Sequence, residues 1–206
     1  MDIPLPKEAG ISYGAGCSAF ACPDADSNDF LMGRNFDFNH RDSTGERVMI
    51  PVIAVHTAPK GGKKSVSFVD ALFVSYKSGF YTDGKSDLSL LMALPYLLLD
   101  GINEDGFAVS VLKLDGKPTK QQDPEKKSIF TTVAMRMLLD RASTVDQAIE
   151  MLNQYNMCMD NEEASYHFFM ADATGDYAII EYTKNNPLDP EENPTKMEVL
   201  KGDNVW

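Results

Sequence analysis

The first half of the chain alternates apolar and polar positions with the two-residue period of half-buried strands, broken at short intervals by turn formers. Residues 17–22, Cys-Ser-Ala-Phe-Ala-Cys, and residues 30–38, Phe-Leu-Met-Gly-Arg-Asn-Phe-Asp-Phe, read as the two strands of an antiparallel hairpin, with a turn around residues 23–28. Residues 48–56 and 65–76 are β-branched and aromatic enough to predict two more strands, with Lys60-Gly-Gly-Lys63 as the turn between them. Residues 88–99 are mostly apolar and interrupted by Pro95. Residues 100–106, Asp-Gly-Ile-Asn-Glu-Asp-Gly, read as a turn, 107–114 as a strand and 115–127 as a surface loop.

The period then lengthens. Phe130, Val133, Ala134, Met137 and Leu138 recur at the i, i+3, i+4, i+7, i+8 spacing of one helical face, and Val145, Ala148, Ile149 and Leu152 do the same. Ser143 or Thr144 caps the second helix, Thr144 and Gln147 have capping-box spacing, and the short connection makes the helices neighbours. Residues 166–172 and 176–182 flank Ala173-Thr-Gly175, a strong hairpin signal. A polar stretch over 184–194 precedes a short strand at 197–200. Strands, then helices, then strands predict an α+β chain with helices layered on sheet.

Composition narrows the function classes. At 206 residues, with 43% hydrophobic and 24% charged residues, the chain suits one globular domain or at most two small ones. A net charge of −12 and a pI near 4.6 disfavour nucleic acid and anionic membrane surfaces as partners. No apolar run approaches the ~20 residues of a membrane helix. Residues 1–10 lack the basic and apolar regions of a signal peptide. The compartment stays open between the cytoplasm and export with a signal peptide absent from this sequence. Cys17, Cys22 and Cys158 form no Cys-x-x-Cys pair, and His40, His56 and His167 no helical metal motif, so neither a disulfide framework nor a metal site is expected. The histidines read as surface or strand residues.

Chemistry concentrates at Gly14-Ala-Gly-Cys17 and Gly33-Arg-Asn-Phe-Asp37, on the two strands of the first hairpin. The plain alternative for Cys17 is a small buried hydrophobe. Arg34 and Asp37 are three residues apart and on a regular strand point to opposite faces, so both reach the cysteine only if the strand twists, bulges or ends there. Otherwise they form a surface ion pair of little consequence. Ala-Gly-Cys also matches a lipoprotein cleavage site, which the polar residues 6–10 exclude. Asn103 with Gly106 reads as an ordinary turn. Cys22, five residues from Cys17, faces the other way, and Cys22 and Cys158 read as structural thiols.

Five segments together resemble the choloylglycine hydrolase family, which includes bile salt hydrolases, penicillin V acylases and related linear-amide hydrolases. They are Gly16-Cys17-Ser, Gly33 to Asp37, residues 100–109, the helix pair over 131–155, and residues 167–181. The resemblance implies the N-terminal-nucleophile fold, a four-layer αββα sandwich, here incomplete at the C-terminus. It implies residues 1–16 as a propeptide or linker and 17–206 as the N-terminal portion of the hydrolase domain. Cleavage would fall between Gly16 and Cys17. Cys17 would then supply both the attacking sulfur and an α-amine base, with Arg34 beside the sulfur and Asp37 orienting the amine. Lys113 stands where the family carries an oxyanion residue. It would stabilise an oxyanion, bind an acidic substrate, or serve as a solvated strand lysine.

The partner so implied is a small-molecule amide such as a conjugated bile salt or penicillin V, with no cofactor; a homo-oligomer is compatible. The family's later asparagine and arginine lie beyond Trp206. An alternative reading is therefore a catalytically impaired member acting as a binding or partner-assembled half.

Overall fold

The computed structural model describes residues 12–27, 29–42, 44–75, 88–159 and 164–202. Most of the predicted leader and Tyr76 lie outside these. At the centre is a seven-stranded antiparallel sheet. In chain order its strands are β3 (Val52–Thr57), β4 (Ser65–Asp70), β5 (Asp100–Asn103), β6 (Ala108–Asp115), β9 (Ala164–Ala171), β10 (Tyr177–Thr183) and β11 (Lys196–Lys201). They lie side by side in the order β11-β10-β9-β6-β5-β4-β3. The predicted hairpin over 166–182 is β9–β10, closed at Gly175 with φ +85°, a conformation that glycine adopts without penalty.

One face of this sheet carries Val55, Val69, Val109, Val111, Phe168, Met170, Ala178 and Ile180, all buried. Helices α2 (Thr131–Arg141) and α3 (Val145–Asn153) supply Ala134, Met135, Leu138, Leu139, Val145, Ala148 and Leu152 to the same core. A large apolar side chain sealed this way contributes ~1.5–3 kcal/mol. Thr144 caps α3 by accepting the Gln147 N–H, while the Gln147 side chain accepts the Ser143 N–H, so both candidate capping residues take part.

The other face is crossed by the hairpin of β1 (Ser12–Pro23) and β2 (Phe30–Arg41), which forms its own antiparallel pair. His40 of β2 meets Asp70 of β4 at 2.7 Å, both side chains buried, and Arg34 of β2 reaches β6 and Asp100. The order helices, sheet, hairpin is that of an α+β sandwich.

Several expectations need correction. The strand predicted over 65–76 ends at Asp70, whose carboxylate accepts the Leu72 N–H and opens the short helix α1 (Leu72–Ser75). Asp100–Asn103 is a strand rather than part of a turn. The turn is confined to 103–106, where the Gly106 N–H donates to the Asn103 carbonyl and Gly106 takes φ +80°. Residues 88–96 form a 3-10 helix, Leu88–Tyr96. The end of the predicted loop starts β7 (Lys127–Phe130), which pairs in parallel with β8 (Tyr155–Cys158).

Finally, α2 buries a face rotated from the predicted one. Phe130 is its extended N-cap and Val133 is 41% exposed, while Met135 and Leu139 are sealed. Met135, Leu138, Leu139 and Ala142 carry the same helical spacing as the predicted stripe, and the sheet selects them.

Candidate active site

The hairpin register is regular across the residues of interest. Cys17 stands opposite Phe36, Ala19 opposite Arg34, and Gly16 opposite Asp37. Opposed residues share a face and successive residues alternate, so Cys17, Arg34 and Phe36 lie on the face turned toward the large sheet. Asp37 lies on the other. No bulge or strand end intervenes, and none is needed.

On the inner face the Arg34 side chain, 8% exposed, is held from several directions. Its Nη2 donates to the Cys17 sulfur at 3.1 Å and to the Val111 carbonyl at 3.0 Å. Its Nη1 donates to the Asn35 carbonyl, and its guanidinium carbon sits 4.5 Å from the centre of the Phe36 ring. The Val111 N–H donates to the Leu99 carbonyl, but the Leu99 N–H donates to Phe68, which leaves the Val111 carbonyl for Arg34. The guanidinium thus places a fixed positive charge directly beside the Cys17 sulfur. Arg34 and Asp37 are therefore not the surface ion pair that their spacing also allowed.

Asp37 is exposed and accepts a hydrogen bond from Asn35 Nδ2 at 2.7 Å. It stands beside Gly16, on the face away from the sulfur. A Cβ placed on Gly16 would lie 3.3 Å from the Asp37 Cβ and 3.8 Å from its Oδ2. Glycine at position 16 thus leaves room for the Asp37 side chain beside it. The two faces of β2 put a cation at the Cys17 side chain and a carboxylate beside Gly16, the residue before it.

Lys113 stands two residues beyond Val111 on β6. Its side chain is 28% exposed and its ammonium lies 3.9 Å from Asp115. Among the described residues no hydrogen bond or ion pair joins it to Cys17, Arg34 or Asp37. Asn103 and Gly106 serve as structure: Asn103 Nδ2 donates to the Leu139 and Ala142 carbonyls, and its Oδ1 accepts the Asp105 and Phe107 N–H groups. Cys22 pairs with Leu31 and faces away from Cys17, as its spacing predicts. Among the described residues no cluster of three metal-binding side chains occurs, and no helix is long and apolar enough to cross a membrane.

One group escaped the sequence reading. Asp100, 8% exposed, brings Oδ2 to 4.0 Å from Arg34 Nε. Burial pushes its carboxyl up to about 6, against the opposing pull of Arg34 and of a backbone hydrogen bond at Phe68. Its one visible signal was an acidic residue directly after the apolar run Leu97-Leu-Leu99, where a strand enters the interior.

The same segments carry likenesses to known proteins. A family described as linear amide C–N hydrolases, choloylglycine hydrolase family, matches residues 17–189. Penicillin V acylase of Pectobacterium atrosepticum is 26% identical over 183 residues, covering 84% of this chain and 46% of that protein. The chain thus spans about half the length of the curated relative it matches. The solved conjugated bile acid hydrolase of Clostridium perfringens aligns over 91% of this chain and 51% of its own, with TM-score 0.55 at 14% identity, a likeness of fold. Penicillin V acylase of Agrobacterium tumefaciens aligns over 96% and 48%, with TM-score 0.42 and 16% identity. With the family match starting at Cys17 and running through every element from β2 to β10, the chain belongs to the choloylglycine hydrolase family of linear amide C–N hydrolases.

Proposed function

We propose that this chain hydrolyses the C–N bond of small linear amides with Cys17 as nucleophile, after removal of residues 1–16. The observation that carries this reading is the 3.1 Å contact between Arg34 Nη2 and the Cys17 sulfur. Residues 17–206 are then the nucleophile-bearing part of the hydrolase, and residues 1–16 a propeptide.

Cleavage of the Gly16–Cys17 peptide converts the Cys17 nitrogen into an α-amine. Such an amine titrates near ~7.7–8.0, so its free form takes a proton at neutral pH. Asp37, over Gly16, orients it. The sulfur attacks the amide carbonyl carbon, with its proton passing to the amine, and a tetrahedral intermediate forms. Collapse of that intermediate breaks the C–N bond; the leaving nitrogen takes the proton, and the acyl group stays on sulfur as a thioester. Water, deprotonated by the same amine, hydrolyses the thioester and restores the thiol. Lys113 shares the β6 face of Val109 and Val111, turned away from the hairpin, so it is given no step and is read as the strand lysine that the sequence also allowed.

Incubation with penicillin V and with a conjugated bile salt, followed by intact-mass and peptide mass spectrometry, tests the proposal. It requires a protein beginning at Cys17 and an acyl adduct or released amine that Cys17→Ala abolishes. A stable protein that keeps residues 1–16 and turns over neither substrate would contradict it.

A further inference from the structure

Arg34 has two acidic neighbours on the inner face. One is the Cys17 thiol; the other is Asp100, and the sulfur chemistry leaves the second unused. Asp100 Oδ2 stands 4.0 Å from Arg34 Nε, too far for a hydrogen bond. Both Arg34 Nε and Asp100 Oδ1 are buried without a hydrogen-bond partner. A buried ion pair built for stability closes to a charge-assisted bond of about 2.7–2.9 Å, because open desolvated charges are costly. Here the guanidinium is instead committed through Nη1 and Nη2 to Asn35, Val111 and the sulfur. Asp100 faces its remaining edge without capturing it.

We propose that Asp100 is a positioning residue that acts through Arg34, setting how much of the guanidinium charge the Cys17 sulfur receives. Two anions sharing one buried cation oppose each other's ionisation. With Asp100 protonated, the Arg34 charge serves the thiolate alone; with Asp100 ionised, part of it is neutralised. The carboxyl's rise to about 6 puts this exchange just below neutrality.

The groups facing Asp100 are few among the described residues. Arg34 comes from β2, and the Cys17 thiol from β1 is reached through it. Ser110 is the uncharged register partner on β6. On β4 the nearest charges are Asp70 and its partner His40, two residues beyond Phe68, the register partner of Asp100. Arg34 is the one whose charge bears on the Asp100 carboxyl.

The test is the pH profile of iodoacetamide alkylation of the full chain, carrying Cys22→Ser and Cys158→Ser so that only Cys17 reacts. Asp100→Asn keeps the shape and removes the charge. The alkylation midpoint should move to lower pH, with a rate about tenfold higher on the acid side of it. A purely structural Asp100 would lower stability and leave the midpoint in place, and that result overturns the proposal. A second readout needs no variant: in ¹³C-labelled protein one aspartate carboxyl should titrate near 6, and its absence also overturns the proposal.

The inference builds on the hydrolase reading, but alkylation requires no amide substrate. A midpoint shift without amide turnover would support the Asp100 role and defeat the hydrolase reading. Turnover without a shift would do the reverse.

Discussion

Arg34 donates to the Cys17 sulfur at 3.1 Å although the two are not opposed in the hairpin; Cys17 stands opposite Phe36, and Arg34 reaches it diagonally from the pair beyond. The Phe36 ring lies against the guanidinium, and the Val111 carbonyl accepts from the same Nη2 that reaches the sulfur. Arg34→Met keeps length and apolar bulk while removing charge and donors. It should slow alkylation of Cys17 at neutral pH by about tenfold or more, the effect of withdrawing one close opposite charge from a thiolate. Rates at Cys22 and Cys158, measured in the same digest, should not move.

Asp37 lies on the other face, beside Gly16 and away from the sulfur. Asp37→Asn should therefore separate two readouts that Arg34→Met joins. Release of residues 1–16, followed by intact mass, should slow or stop, and amide turnover with it. Alkylation of Cys17 in the uncleaved chain should stay within about twofold of wild type, since an exposed charge on the far face is screened.

Much of this was legible in the chain, and the failures are instructive. Period-two alternation placed Cys17 and Arg34 on one hairpin because each strand has one face toward the sheet. The spacing of Arg34 and Asp37 also reported their opposite faces correctly. The strand needs no twist or bulge for this: Arg34 meets the sulfur on the inner face while Asp37 stands beside Gly16 on the outer one.

Asp100–Asn103 reads as part of a turn because four residues rich in Asp, Gly and Asn carry no period. Pairing with β4 and β6 makes them a strand, and no local signal encodes that. The role of Asp100 depends on Arg34, sixty-six positions earlier, crossing a different layer. For α2, two apolar stripes overlap, and only the sheet chooses between them.

Asp100 also predicts a pH dependence of stability with a definite sign. Its folded carboxyl titrates at about 6 against an ordinary 3.8, so between these values the folded state holds a proton that the unfolded chain has lost. Stability from this group therefore falls as pH rises through the window, by about 3 kcal/mol in all at ~1.4 kcal/mol per pH unit, and levels off above it. Asp100→Asn removes that slope. Urea unfolding at pH 4, 5, 6 and 7 should show the variant gaining on wild type as pH rises; parallel curves would contradict the assignment.

Asn103 tests the reading of its turn as structure. Its side chain makes four hydrogen bonds that tie β5 to the end of α2 and to the following turn, and it is 5% exposed. Asn103→Ala leaves buried partners unpaired and should cost about 2–4 kcal/mol of stability in chemical denaturation. Cys17 alkylation under native conditions should keep its pH midpoint.

The most direct measurement compares the three thiols within one molecule. Native full-length protein is pulsed with iodoacetamide at pH 7 and each cysteine is quantified by peptide mass spectrometry. A guanidinium-held sulfur predicts that Cys17 reacts at least about tenfold faster than Cys22 and Cys158. Equal labelling of the three would contradict the account.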